Sequence, residues 1–237
     1  MKRLVAISLF ATVFSLSLLG QTHDSVKMLC ENAVQAAQKN DFATAKLNYD
    51  KATDLISKSD DATLNLFISD ELIEYIVTTL AQRDTTSARE YVIKALELRI
   101  SCLSSCAQQG AFESVEEYVA NVANEYLKFG GLLSDCRLVN DAEQCFLVAP
   151  ALYKQSNIIN DDYADILESI GFFYEKNKGN HILNIKFQYK ALEARAHIYG
   201  IDSKECKETF KRLISTYAVY VAYLSLLNKA ISSSGRP

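Results

Sequence analysis

A short segment that carries a small residue near its start returns along most of this chain. Residues 51–55 (KATDL) are followed by 94–98 (KALEL), 149–152 (APAL), 190–194 (KALEA) and 229–231 (KAI). The alanines of these copies, Ala52, Ala95, Ala149, Ala191 and Ala230, lie 43, 54, 42 and 39 residues apart. Two packed helices with their two connections need a period of about 42 residues. The spacing therefore predicts a chain of stacked helical hairpins.

The scarcity of turn residues favours helices over strands. The 237 residues include only 8 glycines and 2 prolines, whereas a protein of many strands needs turn residues at short intervals. Hydrophobic residues make up 49% of the chain, which is enough to bury a core. The length suits one short solenoid better than two large independent domains.

Around the recurring alanines the chain resembles the tetratricopeptide repeat, in its longer, kinesin-light-chain-like variety. The first unit has Ala33 at the small position of its first helix and residues 40–42 (NDF) at the turn. Ala45, Tyr49 and Ala52 follow at the spacing of the family. The resemblance implies an all-α, right-handed α-solenoid of about five helix-turn-helix repeats over residues 21–237.

The later units match the same pattern to different degrees. In the third unit about seven extra residues predict a longer loop over 131–140, with Gly130 and Gly131 at a turn. In the fourth unit, Asn184 replaces the expected alanine. The matching residues of units two to four are Ala88, Val92 and Ala95; Ala123, Tyr126, Gly130, Ala142, Phe146 and Ala149; and Gly171, Tyr174 and Ala191.

The periodicity predicts ten helices. Residues 217–227 are too apolar for a simple polar cap, so the last helix is predicted to be either buried or adhesive. Carboxylates at 60–61 and 161–162 are placed to favour helix starts. The predicted ranges are 25–39, 42–58, 61–82, 85–107, 112–129, 139–155, 161–177, 182–199, 203–219 and 221–232.

The first twenty residues have the layout of a secretory signal peptide. Lys2 and Arg3 precede an uncharged, largely apolar run over residues 4–19, and Gly20 follows. As a helix this run rises only about 24 Å, short of a hydrocarbon core of about 30 Å. We therefore expect a signal peptide over 1–20, cleavage rather than a stable membrane span, and a secreted or periplasmic protein.

The net charge of the chain limits the kinds of partner that it is expected to bind. Without residues 1–20 the chain has 23 basic and 29 acidic residues, a surface that disfavours nucleic acid and anionic membranes. The sequence also has no Asn-x-Ser/Thr glycosylation acceptor, which favours a bacterial envelope. The expected partner is a protein or peptide.

The six cysteines do not form a recognisable metal or redox motif. Cys136 and Cys145 flank the predicted loop and are the candidate pair for a disulfide, while Cys30 and Cys206 are interpreted as small buried hydrophobic residues. No histidine lies at ligand spacing from them, so neither a metal nor another cofactor is expected.

A catalytic constellation is also missing from the sequence. His23, His181 and His197 are isolated, and there is no nucleophile elbow, glycine-rich phosphate loop or His-Glu-x-x-His motif. Acidic pairs such as Asp165 and Glu168 are typical of solvated helix faces. The chain is therefore predicted not to be an enzyme.

The family resemblance implies a concave groove lined by the first helices of successive repeats. Of the basic and amide residues with which the family clamps a peptide carboxylate, only Asn124 is present. A groove of mixed apolar and acidic character is expected instead. Its predicted residues are Asp70, Ile73, Val77, Leu80, Glu117, Asn124, Leu127, Lys128, Asp165, Glu168, Phe172 and Glu175.

Three functions remain open at this point. The first is a non-enzymatic scaffold of the cell envelope that binds a partner protein in a helical groove. The second is a structural protein that self-associates through its apolar C-terminal helix. The third is a helical hydrolase or ligand carrier with an unrecognised site in the loop around Cys136.

Overall fold

A computed structural model describes residues 23–56, 62–75 and 85–234, and throughout these ranges every regular element is an α-helix. The predicted all-helical class is confirmed for this part of the chain. The signal peptide over 1–20 and the carboxylates at 60–61 lie outside the described residues. The helices are α1 (23–38), α2 (Phe42–Ile56), α3 (Ala62–Tyr75), α4 (Thr85–Gln108), α5 (Val115–Asp135), α6 (Val139–Gln155), α7 (Asp161–Lys178), α8 (His181–Tyr199) and α9 (Lys204–Ser234).

The contacts divide the chain into two compact units, one ending at Ala111 with α1–α4 and one beginning at Phe112 with α5–α9. In the first unit α3 packs against α2 and α4. Its core centres on three tyrosine rings, since the ring of Tyr49 lies 4.7 Å from that of Tyr75 and 6.2 Å from that of Tyr91. The hydroxyl of Tyr91 donates a 3.3 Å hydrogen bond to Asp50 and thereby links α4 to α2.

The recurring small residues are buried, as the repeat pattern predicts. Large side chains at these positions would separate helices whose axes must approach to about 8–10 Å. Each of these alanines has no exposed surface: Ala33, Ala45, Ala52, Ala88, Ala95, Ala123, Ala142, Ala149 and Ala191. Small residues on both sides of each interface therefore explain why the hairpins can form.

In the second unit each helix from α5 to α9 packs against the next one along the chain. The helices α7 and α8 approach closely at Gly171, where a Cβ would stand 2.6 Å from Oδ1 and 3.2 Å from the carbonyl oxygen of Asn184. Asn184 is the residue that replaces the expected alanine, and it is fully buried. The glycine opposite provides the space that the larger asparagine takes.

The loop predicted over 131–140 is wrong. Gly130 and Gly131 lie inside α5, which continues to Asp135, and the connection to α6 covers only 136–138. Arg137 turns the chain there with a φ of 63°. Gly130 serves a close approach instead of a turn, since a Cβ there would stand 3.2 Å from the ring of Phe146. The extra residues of this unit lengthen the helix.

The prediction of two helices over 203–219 and 221–232 is also wrong, because α9 is one helix of 31 residues. No Gly, Pro, Asn or Asp occurs between Thr216 and Leu227, so no residue stops the helix where the repeat pattern expects a turn. Among the helices of the described residues, none is long and apolar enough to cross a membrane.

Helix caps follow the sequence signals in the second unit. Asp161 and Asp162 lie in the first turn of α7, as predicted, and Oδ1 of the N-cap Asn160 accepts a 3.0 Å hydrogen bond from the amide of Tyr163. Gly179 ends the helix in the left-handed conformation with a φ of 58°. The α7–α8 hairpin is thus fixed by local chemistry at both ends of α7.

Candidate partner-binding groove

An apolar groove of about 860 Å³ runs between α8 and α9. The two helices are antiparallel, since residues 200–203 join them at one end and the ring of His181 lies 5.2 Å from that of Tyr223 at the other. The side chains that line the groove are largely exposed to solvent. Its apolar wall consists of Ile182, Ile185 and Tyr189 from α8 and Phe210, Leu213, Ile214, Tyr217 and Ala218 from α9.

The groove exists because α8 has two apolar sides. One side packs on α7 and carries Phe187 and Ala191, which are 9% and 0% exposed. The other side carries Ile182 and Tyr189, which are 61% and 53% exposed. A helix with apolar residues on both sides needs a neighbour on each of them. In the described chain α9 covers only part of the second side.

The apolar surface continues beyond the groove towards the α8–α9 turn. A second depression of about 380 Å³ shares Tyr189, Glu193 and Phe210 with the first one and extends to Ile201 and Cys206. Ile201 is 76% exposed, and Cys206 is buried at the base. The two depressions together present apolar surface along about four turns of α8, from Ile182 to Ala196.

The charged residues at the rim are mainly basic. Lys186, Lys190 and Glu193 border the larger depression, and Lys207 borders the smaller one. The amine of Lys190 also lies 5.4 Å from the centre of the buried Phe187 ring. With three lysines and one glutamate, this rim differs from the acidic groove that the sequence predicts.

A partly buried ion-pair network joins α7, α8 and α9. Nη1 of Arg195 donates a 2.6 Å hydrogen bond to Oε1 of Glu168, and Arg195 also bonds Asp165 and Thr209. Arg212 reaches the same Glu168 oxygen at 3.0 Å. Desolvation raises the pKa of Asp165, and the opposing charge of Arg195 lowers it in part. The network holds the three helices, and hence the groove, in one arrangement.

Glu168 is therefore a correction to the predicted groove. It was expected on an open surface, yet it is only 8% exposed because Arg195 and Arg212 hold its carboxylate between the helices. Asp165 pairs with Arg195 at the edge of the same network. Elsewhere on α7, Glu175 bonds the Asn184 amide, and Phe172 is 48% exposed.

The other predicted groove residues lie on two further helices. On α5, Glu117 accepts a 2.8 Å hydrogen bond from the amide of Glu113, so it serves the start of the helix. Asn124 and Lys128 of the same helix are exposed, and Leu127 is half-buried. On α3, Asp70 pairs with Arg99 of α4, and Ile73 is half-buried. Val77 and Leu80 lie outside the described residues.

The cysteines of the second unit are free thiols that are buried or half-buried. Cys136 and Cys145 are both free thiols, so the predicted bridge is absent from this structure. Cys145 lies six residues into α6, about 9 Å along its axis, whereas Cys136 lies at the end of α5. Burial raises the pKa of both thiols, which is the opposite of an activated nucleophile.

The described part of the chain also has no candidate metal-binding site. Over residues 23–56, 62–75 and 85–234, no three His, Cys, Asp or Glu side chains are grouped so that they could hold a metal ion. The ring of His181 packs at a tilt on Tyr220 and Tyr223, and its Nδ1 lies 3.4 Å from a carboxylate oxygen of Glu175.

Comparisons with known proteins leave the family open. No family model matches the sequence, and no curated protein matches it. Among solved structures, the crystal structure of BtubC (BKLC) from P. vanneervenii is similar over 96% of this chain and 88% of that chain, at 16% identity and a TM-score of 0.43. At this identity and TM-score the similarity does not establish the fold, which is therefore described from the helices of this chain alone. Over the described residues, these elements are packed α-helices with an open apolar groove.

Sequence reasoning placed the candidate groove of the second unit on α5 and α7, by resemblance, whereas the open apolar groove described above lies between α8 and α9. The prediction for α5 and α7 stays a prediction. The signal that was present is the second apolar row of α8, residues 182, 185 and 189, at spacings of three and four. Such a row predicts a further neighbour for α8.

Proposed function

We propose that this chain is a non-enzymatic, tetratricopeptide-like scaffold that binds an apolar helical segment of a protein in the groove between α8 and α9. The observation that carries the proposal is the uncovered apolar groove itself, with Tyr189, Ile214 and Tyr217 each more than half exposed. Monomeric proteins rarely leave so many large apolar side chains together on one surface unless that surface binds something.

A helix suits the groove better than a small ligand does. The α8 wall extends from Ile182 to Glu193, about 16 Å or three helical turns. Each earlier helix of this unit is followed by another that packs against it, and the groove is the next position in that series. A bound helix would complete the packing that the chain leaves open after α9.

The place of action in this proposal is the cell envelope or the exterior. Residues 1–20 are proposed to direct export and to be removed, after which acidic residues outnumber basic ones. The basic rim formed by Lys186, Lys190 and Lys207 then differs from the average surface. It favours partner segments whose apolar side is flanked by acidic residues.

Site-specific photo-crosslinking tests the proposal. A photoreactive phenylalanine derivative replaces Tyr189 in the groove or, as a matched control, Phe172 on α7, which is exposed to a similar extent. In the native host, Tyr189 is expected to give a discrete adduct with an apolar helical segment of a protein. The Ile214→Glu substitution should abolish that adduct, because it places a carboxylate in the groove.

The two crosslinking positions separate the competing surfaces. Adducts from Phe172 alone would move the binding site to the α7 face that family resemblance predicts. An absence of protein adducts from Tyr189 would contradict the proposal. Enzymatic turnover that is lost on Cys136→Ser without a change in melting temperature would favour the hydrolase alternative.

A further inference from the structure

The second half of α9 carries exposed apolar side chains up to Leu227. His181, the first residue of α8, packs on Tyr220 and Tyr223 of α9. The eleven residues 224–234 therefore continue about 16 Å past the start of α8. Val221, Leu224 and Leu226 are 52%, 40% and 66% exposed. The exposed apolar side chains of α9 continue to Leu227, and the residues that follow, 228–234 (NKAISSS), are mostly polar.

The apolar side chains that α9 contributes to the groove form one row with the exposed apolar side chains further along the same helix. The row alternates steps of four and three residues, which is the spacing of a coiled-coil seam. Each of its members is between 40% and 57% exposed: Phe210, Ile214, Tyr217, Val221 and Leu224. Polar residues end the row on both sides, Lys207 before it and Asn228 after it.

The row is nearly symmetrical about Tyr217, and this symmetry points to a second copy of the chain. If two α9 helices lie antiparallel with both Tyr217 side chains at the centre, Phe210 faces Leu224 of the other copy, and Ile214 faces Val221. Lys207 then faces Asn228 at each end. A two-fold interface requires such self-complementarity, because each patch must fit a copy of itself.

Charges agree with this arrangement. No charged residue occurs between Leu213 and Asn228, so the paired segments bury no unpaired charge. The last turn of α9 has no basic residue to offset its negative dipole end. Antiparallel pairing places that end beside the first turn of the other α9, where Lys204 is 82% exposed.

The surface is large enough for a stable dimer. Three aromatic side chains of about 200 Å² and four aliphatic ones of about 120 Å², each about half exposed, offer about 540 Å² per copy. Two copies would bury about 1,100 Å², which exceeds the about 1,000 Å² that a specific interface needs. These side chains are Ile182, Tyr189, Phe210, Ile214, Tyr217, Val221 and Leu224.

We infer that the groove between α8 and α9 is occupied by the C-terminal half of α9 from a second copy, so that two chains exchange these helices in an antiparallel dimer. The inference rests on the proposed function and names the partner for the same groove. It also explains why α9 is continuous. A straight α9 cannot fold back into its own groove, but it can reach that of a neighbour.

Light scattering on the purified full chain tests the dimer. The expected mass is twice the 26.5 kDa of the chain, or twice that of the processed form. Ile214→Glu and, separately, Leu224→Ser should weaken the dimer, the first by about 100-fold or more because the change occurs at both symmetric sites. Met28→Glu, at a 56% exposed apolar residue of the first unit, is the matched control and should leave the dimer intact.

Photo-crosslinking at Leu224 shows which chain fills the groove. In a mixture of two differently tagged copies, the adduct should join the tags and map to the segment around Phe210. Circular dichroism of each variant verifies that the helices persist. An adduct within one chain would mean that the C-terminal segment folds back, and would overturn the inference.

The remaining outcomes separate the inference from the proposed function. A monomeric chain whose Tyr189 position crosslinks to a different protein would refute the exchanged dimer and leave the scaffold proposal standing. A monomer that carries a bound lipid-sized molecule in native mass spectrometry would refute both. A dimer that survives Ile214→Glu and Leu224→Ser at unchanged affinity would also overturn the inference.

Discussion

Replacing Gly171 by alanine measures how closely α7 approaches α8. Alanine is favoured over glycine inside a helix by about 1 kcal/mol, so the substitution would stabilise a helix that had free space beside it. Here the added Cβ would stand 2.6 Å from Oδ1 of Asn184 and 3.2 Å from its carbonyl oxygen. The amide of Asn184 is held by Glu175, so this side chain cannot simply turn away.

The expected result is a net loss of stability. Overpacking of this kind costs about 1–3 kcal/mol, which exceeds the gain in helix propensity. Gly131→Ala is the matched control within the same unit, because no atom lies within 4 Å of its added Cβ. It should stabilise the protein by about 0.5–1 kcal/mol. Urea unfolding followed by circular dichroism should separate the two variants by about 2 kcal/mol.

A double substitution tests whether the side chain of Asn184 is what opposes the added Cβ at Gly171. In Gly171→Ala with Asn184→Ala, the Oδ1 contact disappears and only the 3.2 Å contact with the carbonyl oxygen remains. The two changes should therefore be coupled by about 1 kcal/mol or more relative to the sum of the single changes. If Gly171→Ala stabilised the protein as much as Gly131→Ala does, the close approach of α7 and α8 would be refuted.

Three further perturbations test the second unit. Arg195→Met should destabilise the fold by about 3–5 kcal/mol in urea unfolding, because it leaves the buried Glu168 without its main cation. Hydrogen bonds from Lys178 and Tyr174 hold the pKa of Glu143 below its ordinary value of 4.5, so this carboxylate stabilises the fold above that pH, and the stability is lost as the pH falls through the lowered pKa. Urea midpoints measured from about pH 6 to pH 3 should therefore fall less steeply in Glu143→Gln. Asn160→Ala should cost about 1 kcal/mol in the same assay, because it removes the N-cap of α7.

Matched substitutions give each of these results a reference. Arg212→Met removes a cation that is 43% exposed and should cost less than about 1 kcal/mol. Ser169→Ala lies on the exposed side of α7 and should be close to neutral, unlike the cap at Asn160. An Arg195→Met variant as stable as Arg212→Met would mean that Glu168 is not desolvated. An unchanged pH profile in Glu143→Gln would contradict the lowered pKa.

Most of the helical layout could be predicted from periodicity and small residues. The ranges predicted for α2, α6, α7 and α8 agree with the structure to within about two residues, because caps and turn residues such as Gly179 and Gly200 mark their ends. Prediction failed at Gly130 and Gly131, where glycine serves a close approach to Phe146 and not a turn. A glycine has the same appearance in the sequence whichever of the two purposes it serves.

The candidate site could not be predicted in the same way. Exposure is a property of packing, and Glu168 and Phe172, four residues apart on α7, have opposite environments because Arg195 reaches only one of them. The apolar rows of α8 and α9 are visible in the sequence, but periodicity alone does not reveal which rows remain uncovered. That depends on whether a further helix folds back after α9.

The sequence by itself determined the helical class, the hairpin period and the burial of the small residues, since these follow from local propensity and from side-chain volume. Only the tertiary structure decided that α9 continues without a turn through residues 217–227, and that Arg195 draws Glu168 into the protein. It also decided where apolar surface is left open. The physical reason is that burial depends on which helices meet, and this choice is made by the whole unit.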